Sequence, residues 1–581
     1  MRSILAGLLT LSMVVLSGAA TCRGADYEPG TPSSYLFDTR TPSDEPLKNA
    51  QLAAKSGWQV VPEDTLAHKF QGDIVVLNDR LAVVLRAKGA GGEVYCQTPA
   101  ELKKRAVLAP IGASGSAAAS LSGVQIIENN PGAVMIEAAF KMADGVACSL
   151  KYRLTAGQIS VETRPGDGAA KLAVRLQSRY AVVPDFFGDD MVFSAAGWPR
   201  SRLALPTENF LLNLLDGGNA MAMCVWQSNR QNAEAAIAGE GTRRAIDGCE
   251  IECMKDKNIW VAFIEGSHIW HERPISADEA KAEMTLDWKP PFAAKWRADW
   301  LHGDGPAQSW LFQKTGESDE AVPAAAGVCP CRLEGDRALV QLQSAGLVVP
   351  AAPKAAKSLL VYAMDRSRAT PLTAFCPIDV LRSTLGVGPC QYILQTEGLG
   401  SDANPTPDSV MSFVEKQFSR KKEKKGAEEI QGMLKQMLDL MDQTQARIGA
   451  YAELADAVRA TCKAESPKSE AAPAAETLGR IADRMQQAAA AASTQPSVTG
   501  RAARLAGNVN ALIGKDNALA ECQRLGAELR DLGTLQDRTL AKCRMDARWL
   551  KQQAAMIAAD NAPAAALAKK IQTRAEQILQ R

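Results

Sequence analysis

What this chain lacks narrows its chemistry. No stretch beyond the N-terminus has enough consecutive apolar residues to cross a bilayer, so no transmembrane segment is expected. Neither charge sign prevails: the formal net charge of +1 gives no global field for gripping nucleic acid. Histidine is scarce, with four residues in 581. Aromatic residues thin out abruptly, because beyond residue 410 only Phe413, Phe418, Tyr451 and Trp549 occur. Proline follows, with only Pro467, Pro473, Pro496 and Pro563 there. No motif with a specific chemical mechanism stands anywhere in the chain, and no cofactor or metal is expected.

What is present divides accordingly. A chain of 581 residues is too long for one hydrophobic core. Residues 1–25 carry Arg2, an apolar run from Ile4 to Leu16 and then small residues, the layout of a secretory signal peptide. The protein is therefore expected to be exported, periplasmic or extracellular, with lipid attachment at Cys22 as the lesser alternative, since Thr21 fits a lipidation site poorly.

Residues 26–54 are expected to be an extended segment. From 55 to 300, short apolar runs such as 73–86, 134–137, 148–154, 171–183, 220–226 and 259–266 are punctuated by turn pairs. That pattern predicts a large antiparallel β-sandwich. Residues 301–400 read as a β-rich extension containing Cys329, Cys331, Cys376 and Cys390, whose spacing favours disulfides or buried thiols over a zinc knuckle. In "GCEIECMK", Cys249, Ile251 and Cys253 alternate with Glu250 and Glu252, so a strand there buries the sulfurs and turns the carboxylates out.

"GSDANPTPDS" is the joint, with a linker at 401–410. The period then changes. Ile430, Leu434, Met437, Met441, Ile448, Tyr451 and Val458 form one helical stripe, and Leu505 to Leu529 a second. Shorter helices are expected at 475–493, 535–558 and 563–580. The fold class is thus multidomain, mainly β then α: a sandwich followed by an α-helical bundle, helical hairpin or coiled-coil domain at 411–581, a candidate for homo-oligomer formation. The basic run 415–425 reads as a solvated helix start.

Candidate chemistry gathers in two stretches. Residues 185–210 place Asp185, Asp189 and Asp190 beside Phe186, Phe187 and Trp198, with Arg200, Arg202 and Glu208 following. Carboxylates beside rings suit a sugar, whose apolar face stacks while its hydroxyls bond to the carboxylates. In "GSHIWHERP" (266–274), His268 and His271 diverge on extended backbone, which counts against a two-histidine metal site and leaves His271 with Glu272 as an acid/base candidate. Trp270, beside His271, is a ligand-binding candidate, and Trp296 and Trp300, four apart, are either a stacking platform or core anchors.

The segments "DDMVF" (189–193), "PTENFLLNLLDGGNAMAMCVW" (206–226), "IWHE" (269–272), "WKPPFAAKWRADW" (288–300) and "DVLRSTLGVGPCQYILQTEG" (379–398) resemble a family of uncharacterised exported bacterial proteins. At the level of fold, the sandwich is similar to galactose-mutarotase-like supersandwich domains. That likeness implies histidine and glutamate acid/base chemistry, with the residue types present at His271 and Glu272 or Glu208, though no motif matches. Three functions follow as expectations: non-catalytic binding of a carbohydrate or envelope polymer, a glycan-active hydrolase, lyase or epimerase using Asp189, Asp190 or Glu208 with His271, or a structural role in envelope assembly. The first is preferred.

Overall fold

Turn chemistry sets the first strands. Asn130-Pro131-Gly132 and Asp144-Gly145 separate Ala118–Asn130, Ala133–Met142 and Ala147–Thr155, which pair antiparallel in sequence order. Gly145 adopts φ 85°, which a tight hairpin needs and most side chains resist. The structure, a computed structural model, describes residues 32–98, 101–183, 191–195, 201–205, 209–215, 217–228, 230–240, 243–276, 284–286, 288–292, 294–302, 305–313, 338–339, 342–343, 346–349, 356–365, 375–386, 427–465, 470–494, 500, 503–504, 507–508, 511, 518–560 and 562–580.

Nineteen strands between Tyr35 and Glu265 join in one antiparallel network. The network folds over on itself. Strand Ala220–Trp226 reaches strand Ala245–Glu252 through two intervening strands, Phe210–Leu215 and Ser178–Val183. On a flat sheet three steps would separate them by roughly 14 Å. The sulfurs of Cys224 and Cys249 nevertheless stand 3.7 Å apart, so they face each other across two layers. As the alternation predicts, Cys249 and Ile251 are fully buried while Glu250 and Glu252 are turned toward the surface.

The reading of 26–54 as extended needs correcting where it is described: Tyr35–Asp38 is a strand of the large network, and Asn49–Ala54 is a short helix, α1. Its anchor is polar. The Asp38 carboxylate, 1% exposed, accepts the backbone N–H of Arg40, Gln71 and Gly72 and contacts His68 Nε2 at 3.0 Å.

Two strands are apolar on both faces, "FLLNLL", broken only by the buried Asn213, and "AMAMCVW", because both of their faces are covered. Leu211, Leu215, Ala220, Ala222, Cys224 and Trp226 point into the sandwich core. Leu212, Leu214, Met221, Met223 and Val225 point the other way, into a second core with Trp270, Trp288, Trp296 and Trp300. That second core is roofed by a five-stranded sheet made of Trp270–Pro274, Ser358–Asp365, Lys295–His302, Gly305–Gln313 and Ala338–Leu339. Strand Lys295–His302 runs across residue 300, so one sheet draws on both sides of the expected boundary there. Helix α2 (Pro377–Leu385) packs on the same core through Ile378, Val380 and Leu381.

The C-terminal region is helical: α3 (Ala427–Glu465), α4 (Ala472–Thr494), α5 (Ala518–Asp560) and α6 (Ala565–Leu579). Met437, Met441, Ile448, Tyr451 and Val458 are buried, as their helical spacing predicts. The stripe from Leu519 and the helix expected at 535–558 are one continuous α5. Among the described residues no helix is long and apolar enough to cross a membrane.

This bundle is bolted to the sandwich. Among the described residues, strand Arg202–Leu205 pairs with Ala233–Ala238 on one side only. On the other side Ala204 N–H donates to Gln553 Oε1 at 2.8 Å, and Trp549 Nε1 donates to the Ala204 carbonyl. The Trp549 ring also meets Phe193 edge-on at 6.0 Å.

Two outcomes follow. Gly248 holds φ 107°, and a β-carbon there would stand 2.0 Å from the Val174 carbonyl oxygen. Gly248→Ala should therefore lower stability by about 2–4 kcal/mol in chemical denaturation. Trp549→Ala should cost about 3–5 kcal/mol and Gln553→Ala about 1–3 kcal/mol, and the pair should be non-additive because both act on Ala204.

Candidate functional site

Hairpin ends of the sandwich meet the segment that leads into the second sheet, and they enclose a cleft of about 900 Å³. Its floor is ionic. Arg105, on strand Leu102–Gly112, gives Nε to Glu265 Oε1 at 2.7 Å and Nη2 to Oε2 at 2.6 Å, a bidentate pair with both side chains largely buried. Glu265 ends strand Ile259–Glu265, just before "GSHIWHERP". Burial opposes the charged form of Arg105, but the Glu265 carboxylate outweighs it and holds the guanidinium above its ordinary pKa. Beside this pair lies Cys96, fully buried; desolvation, then the Glu265 charge, push its thiol well above the usual range, so it is an inert wall rather than a nucleophile.

The walls combine rings and neutral polar groups. Phe263, Phe292 and Phe375 supply apolar surface, and Gln97, Thr98, Asn219 and Ser267 supply amides and hydroxyls. Gln97 is oriented by a 2.7 Å bond to the Asn78 carbonyl, and Asn219 by accepting the His268 N–H at 2.9 Å. The remaining carboxylates are engaged: Asp79 with Arg80 at 3.2 Å and with the Gly157 N–H at 2.8 Å, Glu101 with Lys103 at 2.5 Å.

Around this cleft, "GSHIWHERP" takes on separate tasks. Gly266 and Ser267 line it. His268 lies in a turn with φ 54° rather than on extended chain. Trp270 to Pro274 form a strand, so neighbours alternate. His271 stacks on Trp288 at 6.4 Å and 13°. Glu272 goes to the other face, where Tyr180 Oη donates to it at 2.5 Å and Arg179 Nε stands 2.9 Å away. The adjacent His271 and Glu272 therefore do not converge as an acid/base pair. Burial, then the Glu272 carboxylate, raise the Tyr180 pKa, keeping the phenol protonated as a donor.

Of the two readings open to Trp296 and Trp300, core anchor is the one the structure bears out, and Trp270, a ligand-binding candidate, joins them in the core. Trp296 and Trp300 are 0% exposed and Trp270 is 6% exposed, all in the second apolar core. Trp270 Nε1 donates to the Leu215 and Ala220 carbonyls. Asp185, Asp189, Asp190, Trp198, Arg200 and Glu208 lie outside the described residues, as do Cys329, Cys331, Cys390 and the segment 1–25. Among the described residues no group of three or more His, Cys, Asp or Glu side chains is placed to hold a metal.

Sequence reasoning missed Arg105, Glu265, Gln97 and Phe292. Arg105 and Glu265 are 160 positions apart, so their pairing has no local signal. The one local signal is the charge that closes the apolar run "IWVAFIE".

No protein-family model and no curated protein matches the chain. Among solved structures, it is similar to an α-N-acetylgalactosaminidase, NagBb, from Bifidobacterium bifidum, at 10% identity and TM-score 0.21 over 36% of each chain. It is also similar to a YidC insertase at 11% identity and TM-score 0.19, over 38% of this chain and 44% of that one. A glycoside hydrolase of family 81 from Clostridium thermocellum aligns at 9% identity and TM-score 0.19, over 90% of this chain and 72% of that one. The chain spans about a third of the length of the galactosaminidase. Overlaps this weak carry no argument about ligand or reaction.

The ion pair yields a test. Arg105→Ala or Glu265→Ala alone strands a largely buried charge and should cost about 3–5 kcal/mol in denaturant midpoint experiments, whereas Arg105→Met/Glu265→Leu should recover most of that loss.

Proposed function

We propose that the protein binds carbohydrate without transforming it, seating a sugar unit in the cleft over Arg105 and Glu265. The observation that carries this reading is the composition of the lining: three phenylalanine rings set against amides and hydroxyls in about 900 Å³. A pyranose offers one apolar face to a ring and a belt of hydroxyls to polar groups, and such a wall answers both. Each carboxylate lining the cleft is engaged by a cation. Acid/base catalysis on a glycosidic bond uses two carboxyl groups held at different protonation states by unlike surroundings, so this pairing favours binding over catalysis. Export to the envelope, where polysaccharide is abundant, belongs to the same proposal, as does self-association through the helical region.

Titration calorimetry of the full chain against neutral and acidic oligosaccharides tests it. A dissociation constant at or below the millimolar range is expected, weakened about tenfold by Phe292→Ala and abolished by Ser267→Trp, which fills the cleft, with both variants retaining the parent circular dichroism. No heat with any glycan at millimolar concentration, or equal binding by Ser267→Trp, would overturn the reading.

A further inference from the structure

Cys224 and Cys249 are both 0% exposed, and their sulfurs meet at 3.7 Å in the middle of the sandwich. The contact bridges two layers whose strands are three hydrogen-bonded steps apart. A disulfide brings sulfurs to about 2.05 Å, so closure needs about 1.6 Å, within reach of rotation about the two Cα–Cβ bonds. The neighbouring positions are small or flexible: Ala222 precedes Cys224 on its face, and Gly248 adjoins Cys249 at an irregularity in the pairing of Ala233–Ala238 with Ala245–Glu252.

We propose that Cys224 and Cys249 form a disulfide that staples the two facing layers of the sandwich. The oxidant is an external protein or low-molecular-weight disulfide, of the kind an oxidising export compartment supplies. The Cys224 thiolate attacks that disulfide, forming a mixed disulfide and releasing one thiolate. The Cys249 thiolate then attacks the Cys224 sulfur, forming the internal bond and expelling the second thiolate. The two cysteine protons end on the donor's two thiols, which carry away the two electrons.

The step belongs to the chain before the layers close. Once folded, neither sulfur is accessible, and the Cys249 hydrogen bond, then burial, hold the Cys224 thiol well above its ordinary pKa. Thiol exchange needs the thiolate, so a chain that has folded reduced stays reduced. The proposal is independent of the glycan reading and rests on the expected export.

Refolding the full chain from denaturant in a buffer of oxidised and reduced glutathione, then alkylating under denaturing conditions and mapping peptides without reduction, tests it. The expected result is a Cys224 peptide joined to a Cys249 peptide, two hydrogens lighter than the sum, and a melting temperature roughly 5–10 °C above that of the chain refolded with reductant. Cys224→Ala/Cys249→Ala should lose the crosslinked peptide and melt at the same temperature in both buffers. Recovery of both cysteines as alkylated thiols after oxidative refolding, or pairing of either with another cysteine, would overturn the proposal.

Discussion

The side of strand Arg202–Leu205 that meets no other strand among the described residues is the constraint on which the arrangement of the two regions depends. An open strand edge presents N–H and C=O groups that would pair with another chain, and burying them without partners costs about 1–3 kcal/mol each. Here both groups of Ala204 are satisfied by side chains from α5, Gln553 accepting and Trp549 donating. The same helix places Gln552 on Asn232 Oδ1. Below it, Lys171 and Arg202 both reach Glu234, and Arg175 reaches Glu250, a charge layer that fits the outward face of the alternation in "GCEIEC". A helix that supplies amide and indole groups to a sheet edge can dock in one register only, which fixes where the whole bundle lies.

A second polar clamp holds the N-terminal side. Asp73, 1% exposed, accepts from Ser43 N–H, Arg86 and Ala87 N–H, while Arg86 continues to Glu93, which also accepts from Tyr95 Oη. Burial would raise the Glu93 pKa, but Lys104, Arg86 and Tyr95 together bring it below the ordinary range. A depressed carboxylate pKa contributes stability above its unfolded value and loses it as pH falls through the folded one, so this clamp loosens in acid. The Tyr95 hydroxyl accepts the Leu47 N–H, which carries the network to the segment before α1.

Legibility in the sequence followed the range of the interactions. Periods of two and of three and a half are local, so the change from strands to helices and the burial of Cys249, Ile251, Met441 and Val458 could be read directly. Strand Ala220–Trp226 was marked to the residue because its run ends at polar turns. An apolar run marks a strand but not what covers its second face; here the cover is a roof of tryptophans, which puts Trp296 and Trp300 in a core, one of the two readings their spacing allows. The pairs that make the cleft and the clamps span long sequence separations: Arg105 with Glu265, Arg86 with Asp73, Ala204 with Gln553. No spacing rule reaches them, because the fold itself brings them together.

The charge arrangement of the cleft carries the last step. A bidentate guanidinium–carboxylate pair presents donors and acceptors in fixed directions while adding no net charge, and the Asp79 and Glu101 pairs do the same at smaller scale. A ligand charge that displaced either member of the Arg105–Glu265 pair would leave a largely buried partner uncompensated, at a cost of several kcal/mol. On the proposed reading, a neutral polyol would bond to the outer lone pairs and protons of the intact pairs and lay its carbon skeleton on Phe292 and Phe375. Under that proposal, the floor formed by Arg105 and Glu265 would favour uncharged ligands, and the preference would be set by the pair rather than by any single residue.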